Sequence, residues 1–473
     1  MDIEEFRRTS HDLVDWMADY LRDIESYPVR AQVVPGEVLA RLPNDPPLVG
    51  TSPAAILDDF KEVILPGMTH WQHPSFFAYF PANSSPPSVL AEMITATLGA
   101  QCMSWETSPA AAELEERMME WLRSMIGLPT DFQGVIQDSA STATLCAILC
   151  ARERATRWRV NERGLSREND DMVVYGSTEC HSSIEKAVKI SGLGRQNFRK
   201  VSVDKNFGMD PNALMEIVEA DRAAGRRPIC VVAALGSTSS SAIDPLQSIG
   251  DVCSRHNLWL HVDAAWAGAA LVDPDFRWMI DGIEGVDSFV FNPHKWLFTN
   301  FDCSAYFVRS PEILLKTLAI LPEYLKSQGG EGVRNYRDWG IPLGRRFRAL
   351  KLWFVIRTYG VDRIRQMIRA HIDLAHDLAA LIDAEEDFER LAPTPLALVC
   401  FRYRPVGVRS ETELDRINET IVKAINDGGE AYLSHTRLAG VYTMRISIGQ
   451  TATRRHHVEN LWKLIKVTAR KLK

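Results

Sequence analysis

Between about residues 90 and 360, short apolar β-rich runs alternate with stretches of helical periodicity, and this pattern restricts the fold of the 473-residue chain more than any other feature. The runs near 172–175, 229–235, 258–262, 288–291 and 303–308 predict strands. Those near 113–125, 141–157, 211–223, 246–255 and 350–359 predict helices. Strand–helix alternation favours crossover connections, so residues 86–360 are expected to form an α/β domain on a mostly parallel sheet. Beyond 361 come a helix, strands near 396–402 and 442–448 and a last helix over 458–471, which predict a small α+β domain over 361–473. Residues 1–85 differ from both. Leu13, Val14, Met17, Leu21 and Ile24 mark one amphipathic helix, and a Pro-rich arm follows. A helix and an arm have no core of their own, so this segment must pack on the rest of the chain or on a second subunit.

Composition excludes several classes of function. Hydrophobic residues make up 46% and charged residues 24%, too apolar a balance for a disordered chain. A net charge of −7 gives no basic field for nucleic acid. No apolar run approaches the roughly 20 residues of a membrane span. The polar start MDIEEFRRTS lacks the layout of a secretory signal, and none of the eight cysteines forms a CxxC pair. A cytoplasmic chain with reduced thiols is expected, without a zinc ribbon or disulfide scaffold. The pairs His70–His73 and His456–His457 show no third ligand in sequence, so no metal is expected.

Chemistry collects at predicted strand ends. Asp263 ends one strand, and Lys295 follows the next in Asn292-Pro293-His294-Lys295-Trp296. Alone, the aspartate reads as a helix cap and the lysine as a surface residue. Their separation of 32 residues is about one βαβ unit, which brings both to one sheet edge. A third strand end, Val135-Ile136-Gln137-Asp138-Ser139-Ala140-Ser141-Thr142, passes into a helix whose first amides suit a phosphate. The small hydroxyls of Leu235-Gly236-Ser237-Thr238 add a further donor. An amine, a carboxylate and an anion cradle on one edge are what pyridoxal 5′-phosphate needs.

The motifs HVDAAWAG (261–268), FNPHKW (291–296), GVIQDSAS (134–141), HPSFFAYFP (73–81), ECHSSIEKA (179–187) and IPLGRRFRALKLWF (341–354) make the chain similar to the group II pyridoxal-phosphate decarboxylases, above all the aromatic L-amino-acid decarboxylases. The resemblance covers nearly the whole chain. It implies the aspartate-aminotransferase fold (fold type I) and a homodimer with active sites at its interface. It implies that Lys295 is the Schiff-base lysine, that Asp263 partners the pyridinium nitrogen and that His181 stacks on the ring. Ala140 and Ser141 are then expected to hold the phosphate, with Thr238, Asn292 and His294. In relatives a tyrosine matching Tyr324, on a mobile Gly-rich loop, returns a proton to the substrate α-carbon. Related aldehyde synthases tend to lack that tyrosine or the stacking histidine. Both are present here, so decarboxylation to an aromatic amine is expected.

Trp71, Tyr79, Phe80, Pro81, Met103 and Gly344 are expected to line the substrate pocket together with His181. Residues 71–81 contain no arginine or lysine for an acidic side chain. Ala82, Asp138 and Met103 depart from animal members, which carry threonine, glycine and phenylalanine there. Glycine at position 344 accompanies indolic substrates in plant relatives. The rivals are an aromatic aldehyde synthase, an acidic amino-acid decarboxylase on the same fold, and a catalytically inactive protein that keeps it.

Overall fold

Apolar runs that do not alternate must be buried on both faces, and the computed structural model, which describes residues 1–165, 171–320 and 333–471, buries them so. Seven strands form one sheet: β1 (Gln133–Gln137), β2 (Met172–Ser177), β3 (Phe198–Val201), β4 (Arg227–Ala234), β5 (Trp259–Asp263), β6 (Ser288–Phe291) and β7 (Ser304–Val308). Their order is β1-β7-β6-β5-β4-β2-β3. From β3 to β6 every neighbouring pair is parallel. The last strand, β7, runs antiparallel to both β6 and β1. The link from β6 to β7 holds only a short helix, Pro293–Trp296, so the chain folds back instead of crossing over.

The helix Ala140–Thr156 lies on this sheet through Ala143, Ala147, Ile148 and Ala151, which join Val135, Val174, Val232 and Val290 in one buried cluster. Small residues on the helix let it approach the branched side chains of the strands closely. The edge strand β3 escapes prediction because Arg199 and Lys200 break its apolar pattern, as charges on an edge strand commonly do. The predicted helix 350–359 is the start of Arg348–Asp383, which is interrupted where Gly360 takes a left-handed φ of 69°.

The chain divides into two units, Met1–Pro81 with His376–Leu391 and Cys400–Lys473, and Ala82–Ala375 with Ala392–Val399. The seven-stranded sheet belongs to the second. A four-stranded sheet has the order β10-β11-β9-β8, with β8 at Phe388–Arg390, β9 at Leu398–Tyr403, β10 at Ser434–Leu438 and β11 at Val441–Ser447. The first unit gathers both ends of the chain. Val29 N–H donates to the Gly429 carbonyl at 2.8 Å, Phe77 N–H to Tyr432 at 2.9 Å and Ser447 N–H to Phe77 at 2.9 Å. The predicted N-terminal helix is Ile3–Arg22, and no residue of it is buried. Among the described residues no helix is long and apolar enough to cross a membrane.

Candidate active site

The carboxyl ends of β4, β5 and β6 lie level. Ala234 is in register with Asp263, and Asp263 with Val290. Backbone bonds continue past the strands: Leu235 N–H donates to the Asp263 carbonyl, Ala264 N–H to Val290 and Asn292 N–H to Ala265, each at 2.9 Å. The Asp263 carboxylate accepts from Ala265 N–H at 3.0 Å, the turn bond expected of an aspartate at a strand end. Lys295 follows on the short helix Pro293–Trp296, its own N–H bonded to the Asn292 carbonyl at 2.9 Å. Asn83 donates from Nδ2 to the Lys295 carbonyl at 2.8 Å. Stacked indoles at 4.7 Å, Trp266 three residues past Asp263 and Trp296 one past Lys295, join the two loops.

Electrostatics tie Lys295, Asp263 and His181 into one group. Burial lowers the Lys295 amine below its ordinary pKa, and the nearby Asp263 carboxylate opposes that shift. His181 caps the helix Ser182–Ile190, its Nδ1 accepting from Ser183 N–H at 3.2 Å and bonded to Ser183 Oγ at 2.7 Å. The ring keeps a solvent-facing side, yet the protein around it lowers its pKa; Asp263 opposes this and Lys295 adds to it. With Nδ1 accepting from the backbone, the neutral ring carries its proton on Nε2. An amine driven toward its neutral form is the form that attacks a carbonyl.

The third strand end is also in place. The helix Ala140–Thr156 begins at Ser139, whose side chain accepts from Thr142 N–H at 3.2 Å. Its first amides, on Ala140 and Ser141, precede any intrahelical partner. Ala140 is buried, whereas Ser141 and Thr238 are exposed. The Asp138 carboxylate supports the charge of Arg348, so a cation is near it. Buried Asn292 accepts from Ser304 Oγ at 2.6 Å and keeps its amide N–H₂ as a donor. His294 accepts from Cys303 N–H at 2.9 Å through Nδ1, and burial drives its pKa down to about 3, so this neutral ring offers only its Nε2–H.

Two predicted substrate residues occupy adjoining backbone of the same unit. Met103 accepts from Arg337 N–H at 2.9 Å. Gly344 precedes Arg345, whose N–H donates to Gln101 Oε1 at 2.7 Å, and a Cβ on Gly344 would lie 3.3 Å from Gln101 Nε2. Trp71, Tyr79, Phe80 and Pro81 belong to the first unit. There Trp71 lies 4.4 Å from Phe76 and stacks at 5.9 Å on Tyr79, whose hydroxyl is 3.3 Å from that of Tyr432. Phe80 is covered by the Arg445 guanidinium, and Pro81 packs against Gly449. Tyr324 lies outside the described residues.

Residues 35–404 match the family described as the pyridoxal-dependent decarboxylase conserved domain. The chain belongs to the pyridoxal-dependent decarboxylases. Over 98% of its length it is 42% identical to tyrosine decarboxylase 1 of Narcissus pseudonarcissus, covering 92% of that protein. It is equally 42% identical, over 99% of its length and 96% of the relative, to a phenylacetaldehyde synthase of Arabidopsis thaliana. The crystal structure of Catharanthus roseus tryptophan decarboxylase in complex with L-tryptophan superposes with a TM-score of 0.94 at 37% identity, covering 100% of this chain and 99% of that one. The expected fold type I architecture is therefore that of a pyridoxal-dependent decarboxylase.

The donor set of this decarboxylase suits pyridoxal 5′-phosphate: a desolvated amine, a carboxylate on the neighbouring strand and free helix-terminal amides. Sequence reasoning missed Asn83, 212 residues from the lysine it holds, and no local motif announces it. It also left Arg345 without a role. That side chain is buried and donates to Glu115 at 2.5 Å and to the Ile136 carbonyl of β1 at 3.1 Å. His457 does gain a third neighbour, since Glu25 and His456 bring ligand atoms within 4.8 Å. However, His457 Nδ1 accepts from Arg454 N–H at 2.9 Å, so its Nε2 bears the proton and faces Glu25 as a donor, not as a metal ligand.

Proposed function

We propose that this decarboxylase converts an aromatic L-amino acid to the corresponding amine and carbon dioxide. One observation carries the reading: the buried Lys295 amine follows the strand paired in register with the strand that Asp263 ends, and both groups act on the ionisation of His181. The bound cofactor supplies an electron sink for the pair left on the substrate α-carbon when carbon dioxide departs. Lys295 anchors it through an amine that burial has made nucleophilic. With the cofactor bound, Asp263 would keep a proton on the ring nitrogen and His181 would cover the ring face. Ala140, Ser141, Thr238, Asn292 and His294 would hold the phosphate through uncharged donors.

Tyr324 delivers a proton to the α-carbon after decarboxylation. Trp71, Tyr79, Phe80, Pro81, Met103 and Gly344 receive the substrate ring, and flat apolar surfaces suit it. The protein works in the cytoplasm as a homodimer whose active sites lie at the interface. A second reading, aromatic aldehyde synthesis, is favoured by one fact: a phenylacetaldehyde synthase is as similar in sequence as a tyrosine decarboxylase. The enzyme saturated with pyridoxal 5′-phosphate and given tryptophan, tyrosine, DOPA, phenylalanine and glutamate separates these readings. Amine and carbon dioxide in equal amounts from an aromatic substrate, without peroxide, are expected. Peroxide matching carbon dioxide would establish the aldehyde reading, and turnover of glutamate alone would overturn both.

A further inference from the structure

We propose that His261 is a positioning residue that locks the phosphate-binding helix, the Asp263 strand and the Lys295 strand into one frame. The inference rests on the site reading above and deepens it. His261 is fully buried on β5, two residues before Asp263 and so on the same face of the strand. Its Nε2 is 3.2 Å from Thr144 Oγ1, four residues into the helix that opens at Ala140. Its Nδ1 is 2.9 Å from Ser288 Oγ, the first residue of β6, which runs toward Lys295. Trp259, also on β5, fixes the same hydroxyl by donating from Nε1 at 2.9 Å. One imidazole therefore bridges the three elements whose ends carry the phosphate cradle, the carboxylate and the amine.

The chemistry of the contact suits a rigid coupling. Burial lowers the ring's pKa to about 4, so it is neutral and presents one donor and one acceptor. Thr144 and Ser288 are hydroxyls, able to take either role, and both are fully buried. β5 and β6 are also joined by their backbone ladder, but the helix otherwise meets the sheet through Ala143 and Ala147 against side chains such as Trp259 and Val290, whose contacts have no preferred direction. Hydrogen bonds restrict distance and angle where apolar packing permits sliding. A shift of the helix relative to β5 would break the bond to Thr144, and a shift of β6 would break the bond to Ser288.

The test compares wild type with Thr144→Val, Ser288→Ala, His261→Leu and the control Thr144→Ser, titrating each apoenzyme with pyridoxal 5′-phosphate. The readouts are the dissociation constant, the pH midpoint of the visible cofactor band and the melting temperature of the apoenzyme. Thr144→Val and Ser288→Ala are each expected to weaken cofactor binding about 2- to 10-fold, the effect of one net hydrogen bond, and to move the pH midpoint. Thr144→Ser is expected to stay at wild-type values. Adding Thr144→Val to His261→Leu is expected to cost nothing more, because the bond is already gone. The hydroxyl variants keep the test decisive even if His261→Leu does not fold. Variants with wild-type affinity and midpoint but lower melting temperatures would reduce His261 to a core residue and end the proposal. A wild-type protein that never forms the visible band would instead remove the site reading on which the proposal stands.

Discussion

Lys295 hangs from the strand beside the one that Asp263 ends, and the carboxylate supports a charge that burial of the lysine disfavours. These two opposed influences on one amine make it ready to react while holding it in place. Replacement of Lys295 by alanine is expected to abolish turnover and the visible cofactor absorbance together. Absorption spectroscopy with a carbon dioxide assay checks this, and retention of both signals would reassign the lysine.

Buried histidines, His261 and His294 among them, act against stability on the acid side. His261 and His294 have pKa values lowered from 6.5 to about 4 and about 3, so below pH 6.5 the unfolded chain binds protons that the folded one refuses. Stability therefore falls as pH drops through 6.5, by about 2 kcal/mol for each ring at pH 5. Denaturant unfolding of the apoenzyme between pH 7.5 and 5 should show proton uptake on unfolding. The same profile in His261→Leu isolates that ring's share, and a slope unchanged from wild type would mean that His261 is not held neutral.

Product choice is expected to turn on Tyr324. With the tyrosine changed to phenylalanine, in air-saturated buffer carbon dioxide release should continue while the product moves from amine to aldehyde and ammonia, with dissolved dioxygen reduced to peroxide. Chromatography coupled to a peroxide assay reads the ratio. An unchanged amine yield would take proton delivery away from this residue.

The pair Glu115–Arg345 is buried on both sides, with 3% and 6% of the side chains exposed, and it binds the end of β1 through the Ile136 carbonyl. Glu115→Gln leaves a buried guanidinium without its counter-charge and should cost about 3–5 kcal/mol of stability. Urea midpoints of the two proteins give the difference. A loss under about 1 kcal/mol would mean that water or another group compensates.

At Gly344 an added side chain would press on Gln101, whose carboxamide is held by Arg345 N–H. Gly344→Ser is expected to lower the tryptophan-to-tyrosine ratio of kcat/KM by about 10-fold, the scale of discrimination by one or two atoms in a pocket. Competition between the two substrates measures it directly.

Asp263 and Lys295 were legible because strand ends load chemistry in a recognisable order and because their spacing matches one crossover. The ring-stacking role expected of His181 rests only on the motif around it; what the structure shows is the commoner role of a lone histidine before a helix, a cap. The antiparallel course of β7 was not legible. Strand direction follows from how the chain returns, and residues 303–308 are as apolar as their parallel neighbours. Asn83 and Arg345 escaped for a different reason. Their partners lie 212 and 230 residues away, and no periodicity spans that distance.

The first unit joins residues from opposite ends of the polypeptide: the backbone of Phe77 is bonded to both Tyr432 and Ser447. During synthesis, which runs from the amino terminus, residues 1–81 must wait until residues beyond 376 have been translated before their partners emerge. The last strand of the seven-stranded sheet ends at Val308, so that sheet can form on the growing chain while the first unit still lacks its later segments.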